Sequence, residues 1–277
     1  MRALKRSWPR AVVTAIVAAA SAQAATGPAT PPALDPKLSG EDIYARVLGN
    51  RFDAFVQQSS LASGDRAGRV QKTRFLMHFR DFRDTDDAPE RGVLSKTLVK
   101  YTHPFDLRHA GYLVIQNEAR VNDQFVYLPT RRQTVRVNLR GKAVFGTDFS
   151  FEDVIPRELE DATYHRLDDG EIDGRPVYVV EARPTENYDS EYSKLVFFVD
   201  DERFVPLRTR YWDEAGVEVK EMSASREELT KFGDIWVPMK VTMRHLLLDS
   251  FTVLEIESLT PEELPESIFE VRRLESH

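Results

Sequence analysis

Apolar positions along this chain recur at two periods. Over residues 39–57, Ile43, Val47, Leu48, Phe52, Phe55 and Val56 return at helical spacing, which predicts one amphipathic helix opened by the capping box Ser39-Gly-Glu-Asp42. Gly49 inside it costs about 1 kcal/mol relative to alanine, so packing must hold that helix. Residues 59–68 read as a loose connection. From Val70 the period becomes two: Phe75, Met77 and Phe79 alternate with Arg74, Leu76, His78 and Arg80. An acidic, proline-containing loop is expected at 81–90. Further strand patterns fall at 93–101, 112–116, 164–167, 177–182, 194–199, 206–212, 217–223, 236–243 and 251–258. Residues 168–174 read as a turn-rich connection, and Thr260-Pro-Glu-Glu263 as the start of a helical turn.

The most informative stretch is 123–155. Phe125 and Tyr127 alternate with Val126 and Leu128 in a strand that Pro129 stops, because proline cannot donate to a ladder. A basic return strand follows with Arg131, Arg132, Arg136 and Arg140. Gly141 and Gly146 bracket a short apolar strand at 143–145. Ser150-Phe-Glu-Asp153 is a second capping box, predicting a short helix that Pro156 ends. Many short strands with few helices mean a sandwich, a barrel or a strongly curved sheet, and periodicity alone does not choose among them.

The Asp-Gln-aromatic strand ending Tyr-Leu-Pro, the arginine-rich return and Gly146-Thr-Asp-Phe-Ser-Phe-Glu-Asp153 together resemble the LolA-like family of outer-membrane lipoprotein-sorting proteins. YSKLVFFVD at 192–200, FVPLRTRYWDEAG at 204–216 and WVPMKVTM at 236–243 follow the same family pattern in the same order. The resemblance covers most of the chain from about residue 70. It implies a single-domain, mainly β, antiparallel half-barrel over residues 39–277, with helices covering its concave face. It also implies a soluble carrier for the acyl chains of a lipoprotein or lipid, with no cofactor and no reaction. An inner-membrane transporter of the resistance-nodulation-division type is the implied partner. An envelope stress sensor on the same lipid-binding fold is the alternative.

Residues 1–24 read as a secretory signal peptide: Arg2, Lys5, Arg6 and Arg10 precede an apolar run, and Ala22-Gln23-Ala24 fits the small-residue cleavage rule. Residues 25–38, rich in Ala, Pro and Thr, read as a flexible leader. Loss of the four signal-peptide cations takes the formal charge from −7 to −11. An acidic body of this kind argues against nucleic acid as a partner. The absence of cysteine removes disulfides, thiolate metal sites and a lipidated N-terminus, so a non-lipidated periplasmic monomer is expected.

Candidate chemistry is thin. The six histidines show no ligand spacing, no Gly-x-Ser-x-Gly elbow occurs, and Ser150 stands where a helix cap is expected. These features make an enzyme or a metal protein the weaker reading. Phe75, Met77, Phe79, Phe125, Tyr127, Phe149 and Phe151 are the candidates for walling an acyl-chain pocket, with plain core as the competing role. Arg131, Arg132 and Arg136 either form a rim that meets headgroups or an acidic partner, or are a solvated strand face.

Overall fold

The computed structural model describes residues 34–83, 92–118 and 120–275. The expected signal peptide, and most of the expected leader and acidic loop, lie outside the described residues. Helix α1 (Gly40–Gly49) starts as expected: Asp42 N donates to Ser39 Oγ at 3.1 Å, and Ser39 N donates back to Asp42 Oδ2 at 3.0 Å. It then stops well short of residue 57. Asn50 follows as its C-cap, and its amide clasps Trp236, donating to the carbonyl at 2.7 Å and accepting from the N–H at 2.8 Å.

Sixteen strands follow: β1 (Ala54–Gly64), β2 (Val70–Asp81), β3 (Val93–His103), β4 (Gly111–Asn117), β5 (Asp123–Leu128), β6 (Gln133–Arg136), β7 (Ala162–Arg166) and β8 (Gly170–Ile172) lead. Then come β9 (Arg175–Pro184), β10 (Tyr192–Asp200), β11 (Pro206–Asp213), β12 (Glu218–Ala224), β13 (Leu229–Phe232), β14 (Ile235–Pro238), β15 (Lys240–His245) and β16 (Ser250–Pro261). Fourteen form one antiparallel sheet in the order β6-β5-β4-β3-β2-β1-β16-β15-β12-β11-β10-β9-β7, with β8 attached to β9; β13 and β14 form a separate hairpin. The two ends of this order do not pair, so the sheet is an open half-barrel. Register shifts at Gln58/Ser59, Arg74/Phe75 and Tyr211/Trp212 mark bulges, which sharpen the bend of a strand.

Several local expectations fail for identifiable reasons. Phe55 and Val56 mimic helical spacing, but they begin β1, the strand that joins the two halves of the sheet. Phe55 stacks on Phe79 of β2 at 5.2 Å, while Val56 packs on the opposite face. Two-sided burial gives a strand apolar neighbours in sequence, which a short window cannot distinguish from a helix face. The expected strand at 143–145 shrinks to one bridge, Ala143 to Ser150. Both capping-box hydrogen bonds of Ser150 and Asp153 form, yet the chain only turns there, because Pro156 follows before a helix can propagate. Residues 236–243 break after Pro238 into β14 and β15. The expected turn at 168–174 contains β8. In place of a helical turn at 260–263, β16 runs through to Pro261. The concave face is therefore covered by one helix and an irregular segment, 137–158, rather than by several helices.

The concave face carries the main core: Phe75, Val99, Tyr112 and Val126 from one wing, Tyr178, Val180, Leu195, Phe197, Tyr211 and Met243 from the other. Its two covers are α1, through Ile43 and Tyr44, and the 137–158 segment, through Val144, Phe149 and Phe151. Across the sheet, Leu264, Phe269 and Leu274 of the C-terminal turns cover Leu98, Leu113 and Tyr127. Trp236 and Leu229 of the small hairpin cover Val177 and Leu207.

Gly40 lets α1 lie against β7. A Cβ there would stand 2.7 Å from Arg166 N and 2.8 Å from the His165 carbonyl carbon, both rigid backbone. Gly40→Ala should therefore lower unfolding free energy by about 1–3 kcal/mol in urea titrations, although alanine is the better helix former.

Candidate functional site

A cavity of about 260 Å³ lies on the concave face between its two covers. Its apolar wall comes from Tyr44, Val47 and Leu48 of α1, Phe79 of β2, Leu195 and Phe197 of β10, Tyr211 of β11, Met222 of β12, and Ile155 and Pro156 of the covering segment. The spacing of each contribution follows from the local structure. Successive strand residues alternate faces, so β10 offers 195 and 197 while β12 offers 222. Helix α1 offers 44, 47 and 48, one turn of its inner face.

The covering segment holds its position through ions rather than through regular structure. Asp153, with no side-chain exposure, accepts from Lys220 Nζ at 3.0 Å and from the Tyr192 hydroxyl at 2.7 Å; Lys220 also donates to that hydroxyl at 2.8 Å. Glu152 pairs with the buried Arg157 at 2.5 Å and accepts from Ser190 Oγ at 2.5 Å and Glu191 N at 2.7 Å. Glu158 pairs with Arg83 and accepts from Gln116 Nε2 at 2.9 Å; Gln116 also holds the Pro156 carbonyl at 3.0 Å. Asp81 in turn pairs with Arg83 at 3.1 Å and with Arg51 at 2.9 Å. One strap is thus tied to both wings: through Arg83 and Gln116 to the β2–β4 side, through Ser190, Tyr192 and Lys220 to the β10–β12 side. Its aromatic side chains point inward, with Phe151 edge-on to Tyr112 at 5.1 Å and Phe145 edge-on to Tyr101 at 4.8 Å.

Burial shapes the titration of these groups. It drives the Tyr192 phenol, with the adjacent Asp153 carboxylate adding to the effect, far above its ordinary value, so Tyr192 stays a neutral donor. Burial likewise raises the Glu191 carboxyl. At the end of the strap, burial pushes Asp161 up to about 6, against the lowering effect of the Glu158 N–H it accepts. Among the described residues, no three His, Cys, Asp or Glu side chains gather as a metal group would require.

The sequence-derived candidates divide. Phe75, Phe149 and Phe151 are buried in the concave core, Met77 packs against it, and Phe79 lines the cavity. Phe125 and Tyr127 lie on the other face of the sheet, under the C-terminal turns; Val126 is the β5 residue facing the concave side. The alternation was read correctly, but which set faced inward needed the register. Arg136 is ion-paired with Asp123, and Arg140 with Asp189 and Glu214, while Arg131 and Arg132 stand exposed at the β5–β6 turn. Lys220, Tyr192, Arg157, Arg83 and Gln116 were missed. Lys220 carried one readable signal: it occupies the inward phase of β12 with Met222 and Ala224, where a lone charge needs a buried partner.

Comparison with solved structures places the fold. A domain described as an outer membrane lipoprotein-sorting protein, from Vibrio parahaemolyticus, superposes at TM-score 0.76 with 20% identity, covering 85% of this chain and 98% of that one. A DUF1329 family protein from Desulfovibrio piger gives 0.78 and 22%, covering 85% and 97%. A LolA superfamily protein from Nitrosomonas europaea gives 0.65 and 17%, covering 84% and 98%. This chain therefore has the LolA-like open half-barrel fold. No curated protein matches its sequence. A family model described as "Uncharacterized protein" matches residues 94–276, and the chain belongs to that family.

Two outcomes test the strap's attachment. Lys220→Met strands the Asp153 carboxylate in the interior and should cost roughly 3–5 kcal/mol in denaturant titrations, with Lys220→Met/Asp153→Asn recovering a substantial part. Asp161 carries a folded-state value raised from 3.8 to about 6. Its burial therefore costs nothing below pH 3.8 and weighs fully above pH 6. Asp161→Asn should thus gain in melting temperature relative to the parent as pH rises across that window, and an unchanged difference would remove the assignment.

Proposed function

We propose that this family member is a carrier that holds an acyl chain of a lipid or lipoprotein against the concave face, beneath the 137–158 strap. The observation that supports this reading is the cavity itself: an apolar floor of Phe79, Leu195, Phe197 and Met222 under a cover whose attachments are ionic and whose aromatic side chains pack beside the cavity on Tyr101 and Tyr112. A cover of that kind can lift from the floor without breaking a strand ladder. Burying each methylene contributes about 0.8 kcal/mol, so a long chain binds without a specific polar partner. The cavity, about 260 Å³ with the strap in place, is smaller than the roughly 300–1,000 Å³ usual for ligand sites. Full occupancy therefore involves displacement of the strap, and its return would expel the cargo.

The N-terminal sequence supports export to the periplasm. Among the described residues no helix is long and apolar enough to cross a membrane. The half-barrel fold shared with the lipoprotein-sorting domain supports lipid or lipoprotein cargo. In this reading a monomer exchanges that cargo with an inner-membrane transporter of the resistance-nodulation-division type. In this reading the protein performs no reaction and holds no cofactor.

Native mass spectrometry of protein purified from the periplasm without detergent should show a bound lipid or acylated species, or uptake of one from added phospholipid or acylated peptide. Met222→Trp, which fills the cavity from a half-buried position, should cut that uptake about tenfold while leaving the far-ultraviolet spectrum unchanged. A bare mass under all these conditions would eliminate the carrier reading.

A further inference from the structure

The antiparallel register sends the β1–β2, β3–β4, β5–β6 and β15–β16 turns to the same rim of the half-barrel. All four are neighbours along it. The β3–β4 turn presents Phe105, 89% exposed; the β15–β16 turn presents Leu246, Leu247 and Leu248, 46%, 63% and 62% exposed. Between them the β1–β2 turn carries Arg66 and Arg69, the latter ion-paired with Asp65 of the same turn at 2.7 Å, and beyond Phe105 the β5–β6 turn carries Arg131 and Arg132, all four arginines exposed. At about 4.8 Å per strand, the two apolar turns stand roughly 20 Å apart along the rim. Basic and apolar side chains thus alternate along this part of the rim, with Asp106 and Asp249 exposed among the apolar ones, in a chain whose net charge is −7.

This rim is built rather than loose. Leu246 N donates to Val219 O at 2.8 Å, and Leu248 N to His245 Nδ1 at 3.4 Å, which fixes the leucine turn against the end of β12. Nearby, Phe251 lies over Gly64, where an added Cβ would come within 2.4 Å of its ring. Leu107 of the β3–β4 turn packs into the concave core while Phe105 points away from it. Three consecutive leucines held outward by backbone hydrogen bonds have no core to serve.

We propose that this rim docks on the surface of a lipid bilayer bearing anionic headgroups, with Phe105 and Leu246–Leu248 entering the acyl boundary and Arg66, Arg131 and Arg132 meeting phosphates. Apolar side chains interleaved with cations are the composition such an interface rewards, since each contribution is individually modest and the two add. An acidic protein gains from collecting its cations on the docking edge, because its remaining surface is repelled by the same lipid. The surface is separate from the cavity, so docking stands or falls independently of cargo.

Vesicle flotation measures this directly. The protein should float with phosphatidylcholine vesicles containing phosphatidylglycerol, far less with phosphatidylcholine alone, and less again at high salt. Leu247→Asp/Leu248→Asp should cut the bound fraction about tenfold or more. Arg66→Glu/Arg131→Glu should reduce binding on anionic vesicles to the level of the neutral ones. These positions are exposed, and unchanged melting temperatures would confirm intact folds. Val121→Asp, at the β4–β5 turn on the opposite rim and 79% exposed, should float like the parent. The cavity variant Met222→Trp should also float, which separates docking from lipid uptake. Absence of flotation on anionic vesicles, equal flotation of the double aspartate variant, or equal loss in Val121→Asp would overturn the proposal.

Discussion

The constraint on which the site depends is the burial of Asp153. A carboxylate with no exposure must be matched by a cation and hydrogen bonds, and here Lys220, Tyr192 and the Ser150 N–H supply them. Those partners sit on β10, on β12 and in the strap itself, so satisfying one charge also positions the strap over the concave face. The neighbouring Glu152–Arg157 and Glu158–Arg83 pairs repeat the logic on either side. A strap without helix or strand cannot rely on a backbone ladder for its place; in this molecule buried ions assign it.

Ionic attachment has a dynamic consequence. Apolar packing alone would resist any separation of strap and sheet in proportion to the area exposed. Ion pairs at the margins instead impose a threshold, because a displaced charge must be resolvated or paired anew. The covered state is therefore well defined in geometry, while the strap remains distinct from the sheet's own cooperative unit. That combination suits the proposed carrier, whose binding face would be covered when empty and accessible when loaded.

Much of the fold was legible because strands leave a period-two trace. The alternation at Phe75, Met77 and Phe79, the stop at Pro129 and the capping box at Ser39 all report local physics, and all reappear in the structure. Two of the failures share one cause. Phe55 and Val56, both half-buried, pack on opposite faces of a central strand, so their adjacency reads as a helix stripe. Phe125 and Tyr127 were correctly placed on one face of a strand, but the chain's own C-terminal turns cover that face. Neither outcome can be read from a window of a dozen residues, because each depends on which distant segment arrives to cover it.

The sequence by itself determined most of the strands, the start of the helix and the inventory of aromatic and ionic side chains, since turn chemistry and side-chain alternation act over a few residues. Only the tertiary structure decided which face became the floor of the cavity and which wing each strap carboxylate would grip. It also decided that hairpin turns remote in sequence would share one rim. Those outcomes rest on register and curvature across thirteen consecutive neighbouring strands, and register is a property of pairs of segments.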